Sequence, residues 1–234
     1  MAKEIVIQRP DDALLSAMSD GAFHAVRCDS RNGWLAQRMK SIGSSDAAAV
    51  MGMSPYMSET ELWESKRTSE ISESEENEDM RRGRESEPLL LSLYSVETGH
   101  GVLWGDGIVL RSERMPFMSA TLDGIGIDPS DSEPYVIEVK SISRKGDDWT
   151  DDTVPVHYYL QVLHQLSVTG WKKAILLARF CRTEWGGDSA YERCYHFDRA
   201  DLENEISSLE KAEEKFWNEC VVGGIRPAVR VPEV

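Results

Sequence analysis

The chain has 234 residues, 41% of them hydrophobic and 29% charged, with seven Trp and a formal net charge of −15. That length suits one sizeable domain, and the apolar content supports a core, which argues against a disordered acidic polymer. No apolar run approaches the roughly 18 residues of a membrane span, and the opening MAKEIVIQRPDD shows no basic-then-apolar leader, so the expected compartment is the cytoplasm. The four cysteines, Cys28, Cys181, Cys194 and Cys220, form no C-x-x-C pair. Their scatter argues against a zinc ribbon, an iron–sulfur site or a disulfide framework and favours free thiols.

Net charge alone argues against a nucleic-acid partner, but its distribution does not. Residues 59–79 carry −7 and residues 201–219 carry −5. The remainder is near neutral and holds basic clusters, Arg27, Arg31, Arg38 and Lys40, then Arg81, Arg82 and Arg84. A phosphate-binding cleft responds to its local field.

In chain order, residues 1–30 are weakly patterned and read as an arm, with a short strand at Ile5–Gln8 and low order after it. Residues 31–234 read as a single domain. A helix is expected near 31–39, a Gly/Ser turn at 43–45 and a short helix from Asp46 to about Met51. Ser58, with Glu61 three residues on, has the spacing of a capping box that opens another helix. The acidic, Ser-rich segment 68–79 reads as a loop. From Met80 to Glu97, Leu89, Leu90, Leu93 and Val96 recur at helical spacing, and Gly99 ends that helix. Strands follow at Val102–Leu103, Gly107–Arg111, Ser119–Ile127 and Tyr135–Ser141, with DPSDSEP as the turn before the last. Pro155 opens a helix to about Val168, stopped by Gly170. Lys173–Phe180 has the continuous apolar character of a buried strand, with Ala190–Phe197 placed to pair beside it. A helix from Asp201 carries Leu202, Ile206, Leu209 and Phe216 on one stripe and ends at Gly223-Gly224. This order predicts an α/β (α+β) fold, a central mixed sheet flanked by helices.

The chemistry concentrates in two strands. Glu138 and Lys140 are separated by one residue and share a face of their strand, within the apolar run YVIEVKSI. Asp123 lies on the preceding strand, where a hairpin can bring it beside Glu138. Two carboxylates meeting at a sheet edge, with the backbone carbonyl of Val139, suit Mg²⁺, a hard cation that prefers oxygen. Lys140 would sit close to the metal water, and phosphodiester hydrolysis needs such a water and charge neutralisation at phosphate. A surface hairpin with a cross-charge pair reads equally from D-x₁₄-E-x-K taken alone. Glu87 opens a helix, either as a third carboxylate or as a first-turn acid complementing the dipole. His157, Gln161 and Gln165 form one polar stripe, either in a site or facing solvent. Ser44 and Ser45 stand where a helix begins, as caps or as phosphate ligands.

In this order, GWLAQRMKSIGSSDAAAVMGMSPYMSETELWE, RGRESEPLLLSLYSVETG, MSATLDGIGI, VIEVKS and HYYLQVLHQLSVTG resemble the phage-type recombination exonucleases of the lambda exonuclease and YqaJ group, within the PD-(D/E)XK nuclease superfamily. The resemblance spans about residues 31–180. It implies a restriction-endonuclease-like core and an exonuclease that degrades linear double-stranded DNA 5′ to 3′, giving 3′ tails for homologous recombination by strand annealing. It implies Asp123, Glu138 and Lys140 as the catalytic triad, Glu87 as the acid from the preceding helix, and Gln161 as the helix glutamine that completes the site. It further implies Mg²⁺, replaceable by Mn²⁺, with two ions per site, and Arg38, Ser45 and Thr121 as ligands of a DNA 5′-phosphate. A proline often precedes the Asp in this group, and Leu122 stands there here. Double-stranded DNA ends, a ring-shaped homotrimer, a single-strand annealing protein as partner and the cytoplasm of a bacterial host are expected on the same ground. The competing readings are an endonuclease of the same superfamily and a non-enzymatic acidic DNA mimic or interaction protein.

Overall fold

The computed structural model describes residues 7–68, 78–142, 148–184 and 187–228. Two mixed sheets are packed with helices. The larger has five strands in the order β3-β6-β7-β8-β9, formed by β3 (Gly101–Trp104), β6 (Gly124–Ile127), β7 (Pro134–Ile142), β8 (Lys173–Glu184) and β9 (Gly187–Asp198). The smaller has the order β1-β4-β5-β2, formed by β1 (Phe23–Arg27), β4 (Ile108–Ser112), β5 (Met118–Ala120) and β2 (Ile42–Gly43). β7 is the central strand of the large sheet, antiparallel to β6 and parallel to β8. The parallel step requires a crossover, which α6 (Val156–Thr169) supplies. Pro155 fixes the entry to α6, and Gly170, at φ 71°, ends it in the left-handed region that glycine tolerates.

Alternation along β7 divides the interior. Val136 and Ile142 face the main core, with Leu163 and Leu166 of α6 and Leu209 of α7 (Glu203–Lys215). Tyr135, Ile137 and Val139 face the other side, against Leu90, Leu91 and Tyr94 of α5 (Glu78–Thr98). Glu138 and Lys140 therefore point to the main-core side. Helix α4 (Glu59–Arg67) begins with the expected capping box, Ser58 Oγ accepting from the Glu61 N–H while Glu61 accepts from the Ser58 N–H.

Several expectations are corrected. Residues 12–27 are ordered as α1 (Asp12–Ser19) and β1, and Leu15 and Phe23 are buried in the main core. The apolar spacing across 12–27 is too short to display a period, so its packing is invisible locally. The single strand expected at Ser119–Ile127 is two, β5 in the small sheet and β6 in the large one. Asp123 stands at the switch between them. Helix α5 runs through Pro88, so Glu87 lies in mid-helix and not at its start. Its packed face is Leu90, Leu91 and Tyr94, while Leu89, Leu93 and Val96 are exposed. Three successive leucines fit a helical stripe in more than one phase. The phase is decided by Gly124, where a Cβ would meet Leu91 Cδ2 at 2.5 Å. A side chain at 124 would force Leu91 out of its place against the strand. The strand residues Ile5 and Val6, and residues 69–77 of the acidic loop, lie outside the described residues.

Candidate active site

The site forms where β6 stops. Pairing of β6 with β7 ends at Gly124 opposite Ile137, so the next inward-facing N–H of β7 has no strand beside it. Asp123 takes that place, accepting the Val139 N–H at Oδ2 (2.7 Å). The carboxylate thus continues the ladder by one rung and is held beside Glu138. The two acids meet at a gap inside the sheet, with β7 central, and not at the sheet edge that the hairpin alone suggests.

Glu138 is only 1% exposed, and a carboxylate so placed needs partners. Gln161 donates to Oε1 (2.6 Å) and Gln165 to Oε2 (2.5 Å), while Lys140 Nζ pairs with Oε1. Gln165 also reaches the Thr121 carbonyl (3.4 Å). The polar stripe of α6 faces this acid and not solvent, because one helical turn separates the two glutamines. Gln165 is fully buried and is the residue that sequence reasoning passed over in favour of Gln161. Its signal was the four-residue spacing. Lys140 lies 5.1 Å from the ring centre of Tyr158, a further support for its charge.

The acids outnumber the cation. Burial, then Glu138 and Glu87, push the Asp123 carboxyl well above the usual carboxylate range. Burial, then Glu138, push Glu87 up to about 7. Burial alone would pull Lys140 down, but Glu138 and Asp123 hold it above the ordinary lysine value. Among the described residues no three His, Cys, Asp or Glu side chains form a ready-made metal cage. Both Glu138 oxygens are turned to nitrogen donors. The donor set nonetheless fits a hard divalent cation. Asp123 and Glu87 both hold their protons more tightly beside Glu138, a repulsion that a cation relieves, and Gln165 Oε1 is buried without a hydrogen-bond partner.

A second cluster lies at the turn after β2. Arg38, in the last turn of α2 (Arg31–Met39), donates to Ser45 Oγ (2.8 Å) and to Asp46 Oδ1 (2.8 Å). Arg38 and Ser45, two of the expected phosphate ligands, therefore touch, and Arg38 is also paired with Asp46. The Arg38 guanidinium lies 4.8 Å from the Trp34 ring centre, and Trp34 Nε1 donates to Thr121 Oγ1 (3.3 Å). Thr121, two residues before Asp123, thereby joins this cluster to the acids. Burial alone would raise the Asp46 carboxyl, but Arg38 and Lys66 hold it well below the usual range. Sequence reasoning missed Trp34 and Lys66. The spacing of Trp34 and Arg38, one turn apart, was the available signal.

A profile of the YqaJ-like viral recombinase domain matches residues 33–172, well over half of the chain. The chain belongs to that family. YqaJ of Bacillus subtilis (strain 168) is 30% identical over 204 residues, 86% of this chain and 59% of the Bacillus protein. The chain thus spans about three-fifths of the length of that relative. The alkaline exonuclease LHK-Exo from Laribacter hongkongensis superposes with a TM-score of 0.53 at 22% identity, over 82% of this chain and 98% of that one. Its complex with dAMP gives 0.51 at 21% identity over the same shares. These two likenesses are of fold, and they bear out the core of a mixed sheet flanked by helices expected for this chain. No helix among the described residues is long and apolar enough to cross a membrane.

Proposed function

We propose that this YqaJ-family chain is a divalent-cation-dependent deoxyribonuclease that degrades linear double-stranded DNA from its 5′ ends, leaving 3′ single-stranded tails for recombination by strand annealing. The observation that carries this reading is the pairing of a buried acid excess around Glu138 with a cationic pocket around Arg38, linked through Thr121 and Trp34. Asp123, Glu138, Glu87 and the Val139 carbonyl would hold Mg²⁺ or Mn²⁺, two ions in all. Such a cation supplies an activated water and charge neutralisation at the phosphate.

The chain's own groups do the rest. Gln161 and Gln165 fix both Glu138 oxygens, so the carboxylate cannot rotate away. Lys140, kept protonated by the acids beside it, holds a positive charge and a donor where a phosphate oxygen would approach. Arg38 can bind a terminal phosphate bidentately, with Ser45 and Thr121 offering hydroxyls. A phosphate monoester carries more charge than an internal diester, which gives the pocket a reason to select ends. Assembly as a ring trimer and delivery of the tail to an annealing protein belong to the same reading.

Digestion of linear and covalently closed duplexes, labelled at either the 5′ or the 3′ end, tests it. Mg²⁺-dependent release of the 5′ label from linear DNA, with the closed circle intact, is expected. Cutting of the circle would make the chain an endonuclease of the same superfamily.

A further inference from the structure

Lys66, near the end of α4, is only 4% exposed, and Asp46 beside it only 5%. Its ammonium donates to Asp46 Oδ2 (2.7 Å) and to the main-chain carbonyl of Arg38 (2.8 Å). Asp46 Oδ2 also accepts the Gly43 N–H (2.9 Å), and its Oδ1 accepts from Arg38. Lys66 therefore holds Arg38 twice, directly by the backbone and indirectly by the guanidinium. The Arg38 side chain remains 29% exposed.

Charge counting gives this arrangement a consequence. Arg38 and Asp46 alone would be a neutral pair with little attraction for an anion. With Lys66 two cations share one carboxylate, and the exposed member of the three is the guanidinium. Ser44, at the turn after β2 and 6% exposed, has a hydroxyl with no hydrogen-bond partner.

We propose that Lys66 is a positioning residue of the terminal-phosphate pocket: sharing Asp46 with Arg38, it leaves the pocket one positive charge in excess and sets the guanidinium for a phosphate monoester that Lys66 itself does not touch. The proposal rests on the reading of Arg38 and Ser45 given above, and it assigns the selectivity for phosphorylated ends partly to a buried residue of another helix.

The test compares cleavage of 5′-phosphoryl and 5′-hydroxyl linear duplexes by wild type, Lys66→Met, Lys66→Gln, Lys66→Arg and Arg38→Ala, with thermal melting of each. Lys66→Gln keeps hydrogen-bonding capacity without charge, and stands in should Lys66→Met fail to fold. Both neutral variants should lose about tenfold of the preference for phosphoryl ends, the size of one charge-assisted contact, through a raised KM on those ends. Lys66→Arg should keep most of it. A folded Lys66→Gln with wild-type preference overturns the proposal, since a merely structural lysine would change melting alone. The same comparison by fluorescence anisotropy in EDTA is independent of turnover. If wild type cuts no DNA but still prefers phosphoryl ends in binding, and Lys66→Gln abolishes that preference, the nuclease reading fails and the role of Lys66 stands. If wild type shows no preference in either measurement, the role of Lys66 falls with the pocket.

Discussion

The clusters around Glu138 and around Asp46 are made of the same ingredients, buried carboxylates and cations, in opposite proportion. Around Glu138, three acids face Lys140, and Asp123 and Glu87 hold protons more tightly than free carboxyls do. Around Asp46, one acid faces Arg38 and Lys66, and its carboxyl releases its proton more readily. On the proposed function the first arrangement would be relieved by a cation and the second by an anion. A buried ion pair is weak evidence for stability, but an unbalanced one shows which sign of ligand it lacks. Phosphodiester cleavage at a DNA end uses both, a cation at the scissile phosphate and an anion anchored at the terminus.

The comparison can be broken most severely at the acids. On the proposed function, Asp123→Ala should reduce cleavage by at least about a thousandfold, because it would remove a metal ligand and the cap on the Val139 N–H together. Circular dichroism should show the fold retained, since Asp123 is only partly buried. Substantial residual activity would remove Asp123 from the site. Lys140→Ala should slow single-turnover cleavage about a hundredfold or more while leaving Mn²⁺ binding measurable, because in the proposed role the lysine would supply charge at the phosphate and no metal ligand. Arg38→Ala should act on the other cluster alone. It should erase the preference for 5′-phosphoryl over 5′-hydroxyl ends, read as the ratio of kcat/KM, and leave metal binding as in wild type. An equal slowing of both substrates would reduce Arg38 to a general DNA contact.

The smallest expected effect sharpens the comparison with a third, balanced pair. His164 and Glu213 are fully buried, joined at 2.8 Å, and the His164 Nε2–H donates to the Ser119 carbonyl (2.9 Å). Burial would lower His164, but Glu213 raises it, while burial raises Glu213 against the pull of His164. Asp46 and Glu210 add negative charge nearby and act in the same direction. Both groups bind a proton more tightly folded than unfolded, so their stabilisation is present below the unfolded values and lost as pH rises through the folded ones. For His164 that loss begins above about 6.5. Asp46 has the opposite sign: its folded value is depressed, so its contribution is present above about 3.8 and lost on acidification. Melting temperature should therefore decline toward alkaline pH in wild type. His164→Gln should be less stable at neutral pH and flatter across the alkaline range, and a parallel decline in both proteins would count against the shared proton.

How much of this was legible in the sequence depends on range. Glu138 and Lys140 were readable because charges inside YVIEVKSI violate the pattern of a core strand, and Asp123 because it is the acid before a glycine on the strand that a hairpin brings beside them. The α4 capping box and the Pro155 and Gly170 limits of α6 are local signals and were found. The split of Ser119–Ile127 between two sheets was not, since nothing in nine residues of extended character marks where one sheet yields to the other. The burial of Gln165 and the phase of α5 depend on partners 27 and more residues away, Glu138 for the glutamine and Gly124 for Leu91. Lys66 sits in the last turn of α4, where a lysine commonly complements the helix dipole, and only the fold brings it under Arg38.

The opposite appetites of the two clusters are tested most directly by calorimetric titration of the folded protein with Mn²⁺ and, separately, with a 5′-phosphorylated dinucleotide, using wild type, Asp123→Asn and Arg38→Ala. Wild type should bind both ligands. Asp123→Asn should lose Mn²⁺ and keep the dinucleotide in the presence of EDTA, while Arg38→Ala should keep Mn²⁺ and lose the dinucleotide. Undiminished Mn²⁺ binding by Asp123→Asn, or undiminished dinucleotide binding by Arg38→Ala, would contradict the assignment of cation to one cluster and terminal phosphate to the other.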